Sequence, residues 1–220
     1  GLFGMGNIIM HTIVLFVLLR LRMEPLLSLR AVVAQLARAG SDLGHRAPVR
    51  SPDDFRALFA ASRRGNYPLL RTYSGCDDFI RLAEVYAETI HNAWCAVPIY
   101  WFNRMDGRGP WDLEGSIREH QRLMAWHGER GIPVELNEPH HWGLRDAPDV
   151  VCVASAYLSA HNARAAGVRD YIAQMMFNSP AGLSDAMDLA KMHAMLRIIE
   201  PLAGPEFRIW RQTRTGLLSY

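Results

Sequence analysis

The densest group of chemically capable side chains lies in the segment Glu138-Pro139-His140-His141-Trp142. A glutamate beside two histidines could ligate a metal ion, because carboxylate and imidazole are both common metal ligands. The carboxylate could instead hold a substrate ammonium group or move a proton. Adjacent histidines point in opposite directions in an extended chain, and no further spaced histidine motif accompanies them. Metal binding, proton transfer and ordinary loop hydrogen bonding are therefore all open for this segment.

A second candidate is Arg71, which follows the apolar run Pro68-Leu69-Leu70 and comes before a turn containing Gly75. A guanidinium beside the N-terminus of a helix suits a carboxylate or phosphate, because it can bind either group through two parallel hydrogen bonds. The alternative is a surface ion pair with Asp77 or Asp78. Arginine makes up 23 of the 24 basic residues, so the residue type by itself carries little functional information.

Other polar and aromatic residues follow predicted strands, at the positions where parallel α/β proteins bind ligands. Tyr100, Trp101 and Phe102 could form an aromatic wall for a flat ligand, or they could belong to the core. The remaining candidates at such positions are Tyr73, Asn103, Asn137, Asn178, Ser179, Arg211 and Arg214.

These candidates depend on elements that alternate along the chain from Ser51 onward. Ser51-Pro52-Asp53-Asp54 predicts the start of a helix with a buried stripe of Phe55, Leu58 and Phe59. Further helices are predicted over 77–92, 112–130, 149–166 and 184–200, the third from the helical spacing of Val150, Val153, Ala154, Tyr157 and Leu158. Strands are predicted over 67–73, 96–102, 133–137, 170–177 and 207–213, with a polar loop over 138–147.

Strands that recur every 30 to 40 residues with helices between them predict an α/β fold with a parallel sheet. No GxGxxG or GxxxxGK[ST] loop follows a strand, which favours a TIM-barrel-like (β/α) architecture over a doubly wound sheet. We expect one domain over 1–220, with residues 1–50 packed in an uncertain way. The chain begins at Gly1 and ends on an apolar stretch, so we expect a fragment and an incomplete barrel.

Composition excludes several classes of protein. Half of the residues are apolar and 21% are charged, which excludes general disorder. The net charge of +2 gives no overall attraction to nucleic acid or to an anionic membrane. The apolar run over 8–19 is too short to span a bilayer and predicts a buried strand or helix. Cys76, Cys95 and Cys152 form no CxxC pair, which is typical of a reducing, cytoplasmic location.

Over about 66–200, the order of several short motifs resembles a known family, the barrel (epsilon) subunit of adenosylcobalamin-dependent glutamate (methylaspartate) mutase. The stretch from Arg71 through Gly75 to Asp78 resembles the family's R-x-G-x-x-D, with two extra residues before the glycine. Leu136-Asn137-Glu138-Pro139 resembles I-N-R-E-P without its arginine. The other matching features, in the family's order, are Val97-Pro98, Ser116, Gln121 and the segment Ala165-Ala166-Gly167-Val168, which resembles A-A-E-Q-G-V.

The resemblance implies an isomerase that rearranges the carbon skeleton of a small amino or carboxylic acid by a radical mechanism. It implies that Arg71 clamps a substrate carboxylate and that Glu138 is the catalytic glutamate of the substrate pocket. Tyr73, Tyr100 and Asn137 are predicted to complete the substrate site. Adenosylcobalamin would be carried by a partner subunit or a missing domain, because the cobalamin-binding motif D-x-H-x-x-G is not found in this sequence.

Two other functions are compatible with the same residues. One is a metal-dependent barrel lyase or hydrolase that uses Glu138, His140 and His141. The other is a non-catalytic barrel that binds a carboxylate ligand or a partner subunit.

Overall fold

The computed structural model describes residues 51–63, 65, 67–73 and 78–215. Predictions for residues 1–50, including the apolar run over 8–19, and for Gly75, Cys76 and Asp77 lie outside the described residues. The chain divides into two compact units. Of the described residues, the smaller contains those between 51 and 72 together with Glu84–Asn92, and the larger contains Tyr73, residues 78–83 and residues 93–215. The single domain over 1–220 stays a prediction.

Helices and strands alternate through the described residues. The helices are α1 (Pro52–Ser62), α2 (Phe79–Thr89), α3 (Leu113–Glu129), α4 (Glu138–Gly143), α5 (Asp149–Ala165) and α6 (Asp185–Ile199), and a 3₁₀ turn covers Glu200–Leu202. The strands are β1 (Arg71–Tyr73), β2 (Trp94–Ala96), β3 (Val134–Leu136), β4 (Asp170–Phe177) and β5 (Arg208–Thr215).

The strands form one five-stranded sheet in the order β1-β2-β3-β4-β5. β2 pairs with β3, β3 with β4 and β4 with β5, each in parallel orientation. In this register, Val134 lies beside Cys95 on one side and beside Tyr171 on the other. The predicted α/β fold with a parallel sheet is confirmed.

One face of the sheet carries the hydrophobic core. Val134 and Leu136 of β3 and Tyr171, Ala173 and Met175 of β4 are buried there. Alternate residues point to opposite faces of a strand, so these side chains share the face that the helices cover. Residues from α3, α5 and α6 complete the cluster, among them Leu123, Met124, Ala156, Ala160, Ala163, Met192, Met195 and Ile199.

The predicted start of α1 is confirmed, and its predicted buried stripe is partly wrong. The Ser51 hydroxyl accepts from the Asp54 N–H, and the Asp54 carboxylate accepts from the Ser51 N–H, which forms a capping box. Phe55 is buried against Tyr86 of α2, with ring centroids 5.1 Å apart. Leu58 is exposed, so the stripe is narrower than its three apolar residues indicated.

Two predicted boundaries near the carboxyl ends of strands are wrong. The strand expected over 96–102 is Trp94–Ala96 instead, and residues 97–102 form a turn after it. Pro98 has no backbone N–H for a sheet ladder, and its carbonyl accepts from the Trp101 N–H to close the turn. The loop expected over 138–147 begins with α4, because Pro139 is favourable in the first helical turn.

The predicted helix α5 is confirmed, but of the apolar stripe that indicated it only Val153 packs against the core. Val150, Tyr157 and Leu158 are exposed, whereas the buried side is made of small residues. These small residues are Cys152, Ser155, Ala156, Ser159, Ala160 and Ala163. Small side chains allow a close approach between the helix and its neighbours, so packing distance determines which side is buried.

The single lysine of the chain is buried at the carboxyl end of β4. The side chain of Lys191 is 2% exposed, and its Nζ donates to the Ser179 carbonyl oxygen at 2.6 Å. Carboxylate oxygens of Asp188 and Asp149 lie 3.6 Å from the same nitrogen. These contacts join the chain after β4 to α5 and α6.

Among the residues that the structure describes, none of the helices combines the length and the apolar character needed to cross a bilayer.

The packing of α5 predicts opposite effects for two neighbouring substitutions. Ala160 is fully buried, so Ala160→Leu should lower the free energy of unfolding by about 1–3 kcal/mol through overpacking. Leu158 is 45% exposed, so Leu158→Ala should change it by no more than about 0.5 kcal/mol. Urea denaturation followed by circular dichroism measures both. A larger loss for Leu158→Ala would contradict the orientation of α5.

Candidate functional site

The carboxyl end of β3 leads directly into the chemically dense segment. Asn137 is the N-cap of α4, and Glu138 is the first residue of this helix. The sequence therefore converts the end of a buried strand into a helical turn within one residue. This geometry places Glu138 at the edge of the sheet where the strands end, which is the edge used for ligands in parallel α/β proteins.

The Glu138 carboxyl is fully buried. Its Oε1 atom accepts from the Tyr100 N–H at 3.3 Å, and its Oε2 atom has no hydrogen-bond partner among the described residues. Burial raises the pKa of Glu138 to about 8, although backbone hydrogen bonds, first among them that from Tyr100, oppose the rise. Glu138 is therefore mostly protonated at neutral pH and can donate a hydrogen bond or a proton.

Tyr100 lies beside this carboxyl. Burial and, to a lesser extent, the charge of Glu138 raise the pKa of Tyr100 to about 12, so its hydroxyl is protonated at neutral pH. Its carbonyl oxygen accepts from the Asn103 side-chain amide at 2.8 Å. The predicted strand-end position of Tyr100 is thus a position in the turn after β2, and the backbone of this turn contacts Glu138.

His140 joins α4 to the backbone of β4. Its Nε2 atom lies 3.1 Å from the Met176 nitrogen and also contacts the Gln174 carbonyl oxygen. Burial lowers the pKa of His140 to about 4, so the ring is neutral at neutral pH. The tautomer then decides whether Nε2 donates to Gln174 or accepts from Met176. In either case this nitrogen is directed at the β4 backbone.

Glu138, His140 and His141 do not converge as a metal-ligand set would. No group of three or more His, Cys, Asp or Glu side chains that could hold a metal ion occurs among residues 51–63, 65, 67–73 and 78–215. His141 instead packs against the rings of Tyr73 and Trp101, at centroid distances of 6.4 and 5.6 Å.

An aromatic cluster lies at the carboxyl ends of β1, β2 and β3. It consists of Tyr73, Trp101, Phe102, His141 and Trp142, and we call it the edge cluster. Trp101 contacts Trp142 at 5.2 Å, and Tyr73 contacts Phe102 at 5.9 Å between ring centroids. The structure thus brings the predicted residue Tyr73 together with the predicted aromatic wall.

Two arginines cover rings of the edge cluster. The guanidinium carbon of Arg145 lies 4.1 Å from the centroid of the Trp101 ring, and that of Arg108 lies 4.3 Å from the centroid of the Phe102 ring. Sequence reasoning missed both arginines because neither directly follows a strand. The signal that could have found them is their occurrence in the loops that leave β2 and β3.

Asp106 stabilises the conformation of the loop after β2. Its carboxylate accepts from the N–H groups of Phe102 at 2.9 Å and Asn103 at 3.1 Å, and it pairs with Arg108 at 2.6 Å. Burial would raise the pKa of Asp106, but the hydrogen bonds and the Arg108 charge lower it below its usual value. The ionised carboxylate therefore fixes Phe102, whose φ of 64° is strained for a residue with a side chain.

The other face of the sheet carries a polar contact that the sequence analysis also missed. Glu135 is fully buried between the core residues of β3 and accepts from Trp94 Nε1 at 2.8 Å. The Gln174 side-chain amide donates to the same carboxylate. The signal in the sequence is a single acidic residue between two apolar ones in a short strand, which indicates a strand with two unlike faces.

The remaining predicted residues occupy different places. Asn137 is buried beside Glu138, and its Oδ1 atom has no hydrogen-bond partner within the described part of the chain. Arg71 belongs to the smaller unit, and it is the first residue of β1, so the strand begins later than the predicted residue 67. A strand needs no apolar residue at its first position, so the apolar run that ends at Leu70 misplaced the boundary. The role of Arg71 as a substrate clamp stays a prediction.

Three other polar candidates make contacts that stabilise loops or strands. Asn178 Oδ1 accepts from the Gly182 N–H at 2.7 Å, and the Ser179 carbonyl oxygen accepts from Lys191. Arg211 lies within β5 and donates to Glu200 at 2.6 Å.

Comparison of the chain with protein-family models, with curated proteins and with solved structures found no match. The resemblance to the mutase family therefore rests on its quoted motifs, and function has to be argued from the geometry of the site.

The raised pKa of Glu138 predicts a pH dependence of stability. Between the usual pKa of 4.5 and the folded value of about 8, the folded state keeps a proton that the unfolded state has released. The resulting stabilisation is fully present below pH 4.5 and is lost as pH rises through 8, by up to about 1.4 kcal/mol per pH unit. Glu138→Gln should lack this component. The free energy of unfolding of the wild type minus that of the variant should therefore fall as the pH rises.

Urea denaturation of both proteins between about pH 5 and 9 measures this difference. The subtraction removes the contributions of His120, His127 and His140, whose lowered pKa values make stability rise with pH below 6.5. A difference that is flat or that rises with pH would contradict the assignment.

Proposed function

We propose that this protein is a barrel-type enzyme that binds a small carboxylic acid at the carboxyl edge of its sheet, with Glu138 holding a proton beside the substrate. One observation carries the proposal. Glu138 is fully buried at the end of β3, has one oxygen without a partner among the described residues, and has a pKa of about 8. A carboxyl group with these properties at this edge is typical of a general acid or base.

The strand order supports the barrel. A doubly wound sheet reverses its strand order at a switch point, and its ligand binds where the reversal occurs. The order β1-β2-β3-β4-β5 has no reversal, so each strand lies beside the one before it, as in a (β/α) barrel. In such a barrel, the loops after successive strands share one substrate site, which here brings in the loops after β2 and β3.

The protonation state of Glu138 supports a carboxylate substrate. A neutral Glu138 does not repel an anion, and it can donate a hydrogen bond to a carboxylate oxygen. An ionised glutamate at the same position would oppose the binding of an acid through like-charge repulsion. Glu138 is thus compatible with an acidic substrate as long as Glu138 keeps its proton.

The particular reaction we propose is the carbon-skeleton isomerisation that the mutase resemblance implies. Adenosylcobalamin, when bound by a partner, supplies the radical that abstracts a hydrogen atom from the substrate. The residues of this chain would bind the acid, orient it and exclude water, and Glu138 would hold the proton.

The geometry favours the alternatives less. His140 is directed at the β4 backbone, which leaves the metal-dependent lyase or hydrolase without its ligand set among the described residues. A non-catalytic carboxylate-binding barrel uses the same edge, and the experiments below distinguish it from an enzyme.

Ligand binding should depend on the ionisation of Glu138. Succinate affinity, measured by calorimetric titration of the full chain, should be constant near pH 7 and should fall roughly tenfold above the Glu138 pKa of about 8. Glu138→Gln keeps the group neutral, so its succinate affinity should not change between about pH 7 and 9. An equal loss of affinity in wild type and variant would contradict a substrate site beside Glu138.

Turnover separates the enzyme from the binding protein. The full chain, mixed with a cobalamin-carrying protein of this mutase family and a dicarboxylic amino acid, should form an isomer detectable by NMR, and Glu138→Gln should abolish its formation. Succinate binding without turnover in any such mixture would support the non-catalytic barrel.

A further inference from the structure

We propose that Arg145, the indole N–H of Trp101 and Arg108 form a carboxylate-binding subsite at the edge cluster. The proposal rests on the proposed function, because it names the part of the protein that would recognise the acid group of the substrate. It concerns residues that neither the motifs nor the strand-end positions pointed to.

Arg145 is held in place mainly by an aromatic face. Its guanidinium carbon lies 4.1 Å from the centroid of the Trp101 ring, and one Nη atom donates to the His141 carbonyl oxygen at 2.9 Å. No carboxylate forms an ion pair with Arg145 within the described residues. Stacking on a ring fixes the plane of a guanidinium and leaves its remaining N–H groups available to an acceptor in that plane.

Trp101 supplies a second, independent observation. The residue is 9% exposed, and its indole Nε1 is a buried donor with no acceptor among the residues described. A buried donor without an acceptor is costly, and such donors in native structures often mark a position that a ligand or water satisfies. The ring that orients Arg145 therefore also carries a donor that lacks its acceptor.

The charges of the loop favour an anion. Asp106 is the carboxylate that pairs with Arg108, and both of its oxygens already accept hydrogen bonds from backbone N–H groups or from Arg108 itself. Burial, followed by repulsion from the charge of Arg108, lowers the pKa of Arg145, whereas the charges of Asp106 and Tyr73 oppose this lowering. An added anion would relieve this repulsion, whereas a cation would increase it.

The subsite is continuous with Glu138. Glu138 Oε1 accepts from the N–H of Tyr100, and Tyr100 directly precedes Trp101. The turn that carries Trp101 therefore also carries the backbone N–H that contacts Glu138. A planar carboxylate matches the two parallel N–H groups of a guanidinium, which gives the subsite its preference for this acid group.

The test is calorimetric titration of the full chain with succinate and L-glutamate as probes, with neutral succinamide and inorganic phosphate as comparisons. For whichever of succinate and L-glutamate binds the wild type, Arg145→Ala should weaken the affinity by about tenfold or more. Arg145→Lys should restore only part of the affinity, because it keeps the charge and loses the planar donor pair. Trp101→Phe keeps an aromatic ring for Arg145 and removes the N–H, so it should weaken binding severalfold with the fold retained.

Arg118→Ala is the matched control. Arg118 is an exposed arginine of α3 that pairs with Glu114, so its loss removes the same charge away from the edge cluster. We expect its probe affinity to equal that of wild type. Thermal melts of all variants verify that each is folded before titration.

Several results would overturn the subsite. They are the absence of binding by both probes, an unchanged affinity in Arg145→Ala, an equal loss in Arg118→Ala, and tight binding of succinamide. Phosphate that binds more tightly than both acids, with the same dependence on Arg145, would overturn the assignment to carboxylates. If Arg145→Ala has no effect on affinity while the pH dependence that Glu138 causes persists, this inference fails and the proposed function stands. If Arg145→Ala weakens binding while the affinity shows no dependence on the ionisation of Glu138, the subsite stands and the role of Glu138 alone is removed.

Discussion

The contact between the His140 ring and the backbone of β4 determines the position of most of the candidate site. α4 is only six residues long, which is too short for a helix to be stable without tertiary contacts. Its position is set by β3, which pairs in parallel with β4, and by His140, whose Nε2 atom contacts the backbone at Gln174 and Met176. Because Glu138, His141 and Trp142 lie on this turn, the same contact places the buried carboxyl and two of the five residues of the edge cluster.

The imidazole in this arrangement is neutral near pH 7. The burial that lowers the pKa of His140 to about 4 is the same effect that raises the pKa of Glu138 to about 8, two residues earlier on the same turn. The low polarity of the surroundings thus disfavours the charged form of both groups. The site contains a neutral base and a neutral acid near pH 7, and the loops after β2 and β3 carry the ionised groups Asp106, Arg108 and Arg145.

Much of the fold could be predicted from the sequence, because long amphipathic segments and turn residues are local signals. The capping residues Ser51, Asp112 and Ser184 each begin a helix as expected, and β4 covers the predicted 170–177. The buried side of α5 could not be predicted, because it is lined by small residues such as Ala160. Small residues are required there by the short distance between α5 and the neighbouring elements. Apolar content indicated the opposite side, where Leu158 is exposed.

The candidate site was predicted in part. Glu138, Tyr100, Tyr73 and Asn137 all belong to the larger unit, and the segment 138–142 was recognised from its composition. Arg145 contacts the ring of Trp101, which lies 44 positions earlier in the chain. Glu135 accepts from Gln174, which lies 39 positions later. Such contacts are fixed by strand register and loop conformation, which single-residue patterns do not encode. Arg145 and Arg108 are also two among 23 arginines, so their residue type did not distinguish them.

The buried lysine at the end of β4 has a practical consequence for chemical probing of this protein. Reagents that acylate primary amines react with the unprotonated amine in solvent, and Lys191 is the one lysine of the sequence, with its Nζ enclosed by Ser179, Asp188 and Asp149. Side-chain acylation of the native protein would therefore occur only when the region between α5, α6 and β4 opens locally. The rate of modification at Lys191, measured by mass spectrometry, would therefore report how often this region opens in the native state.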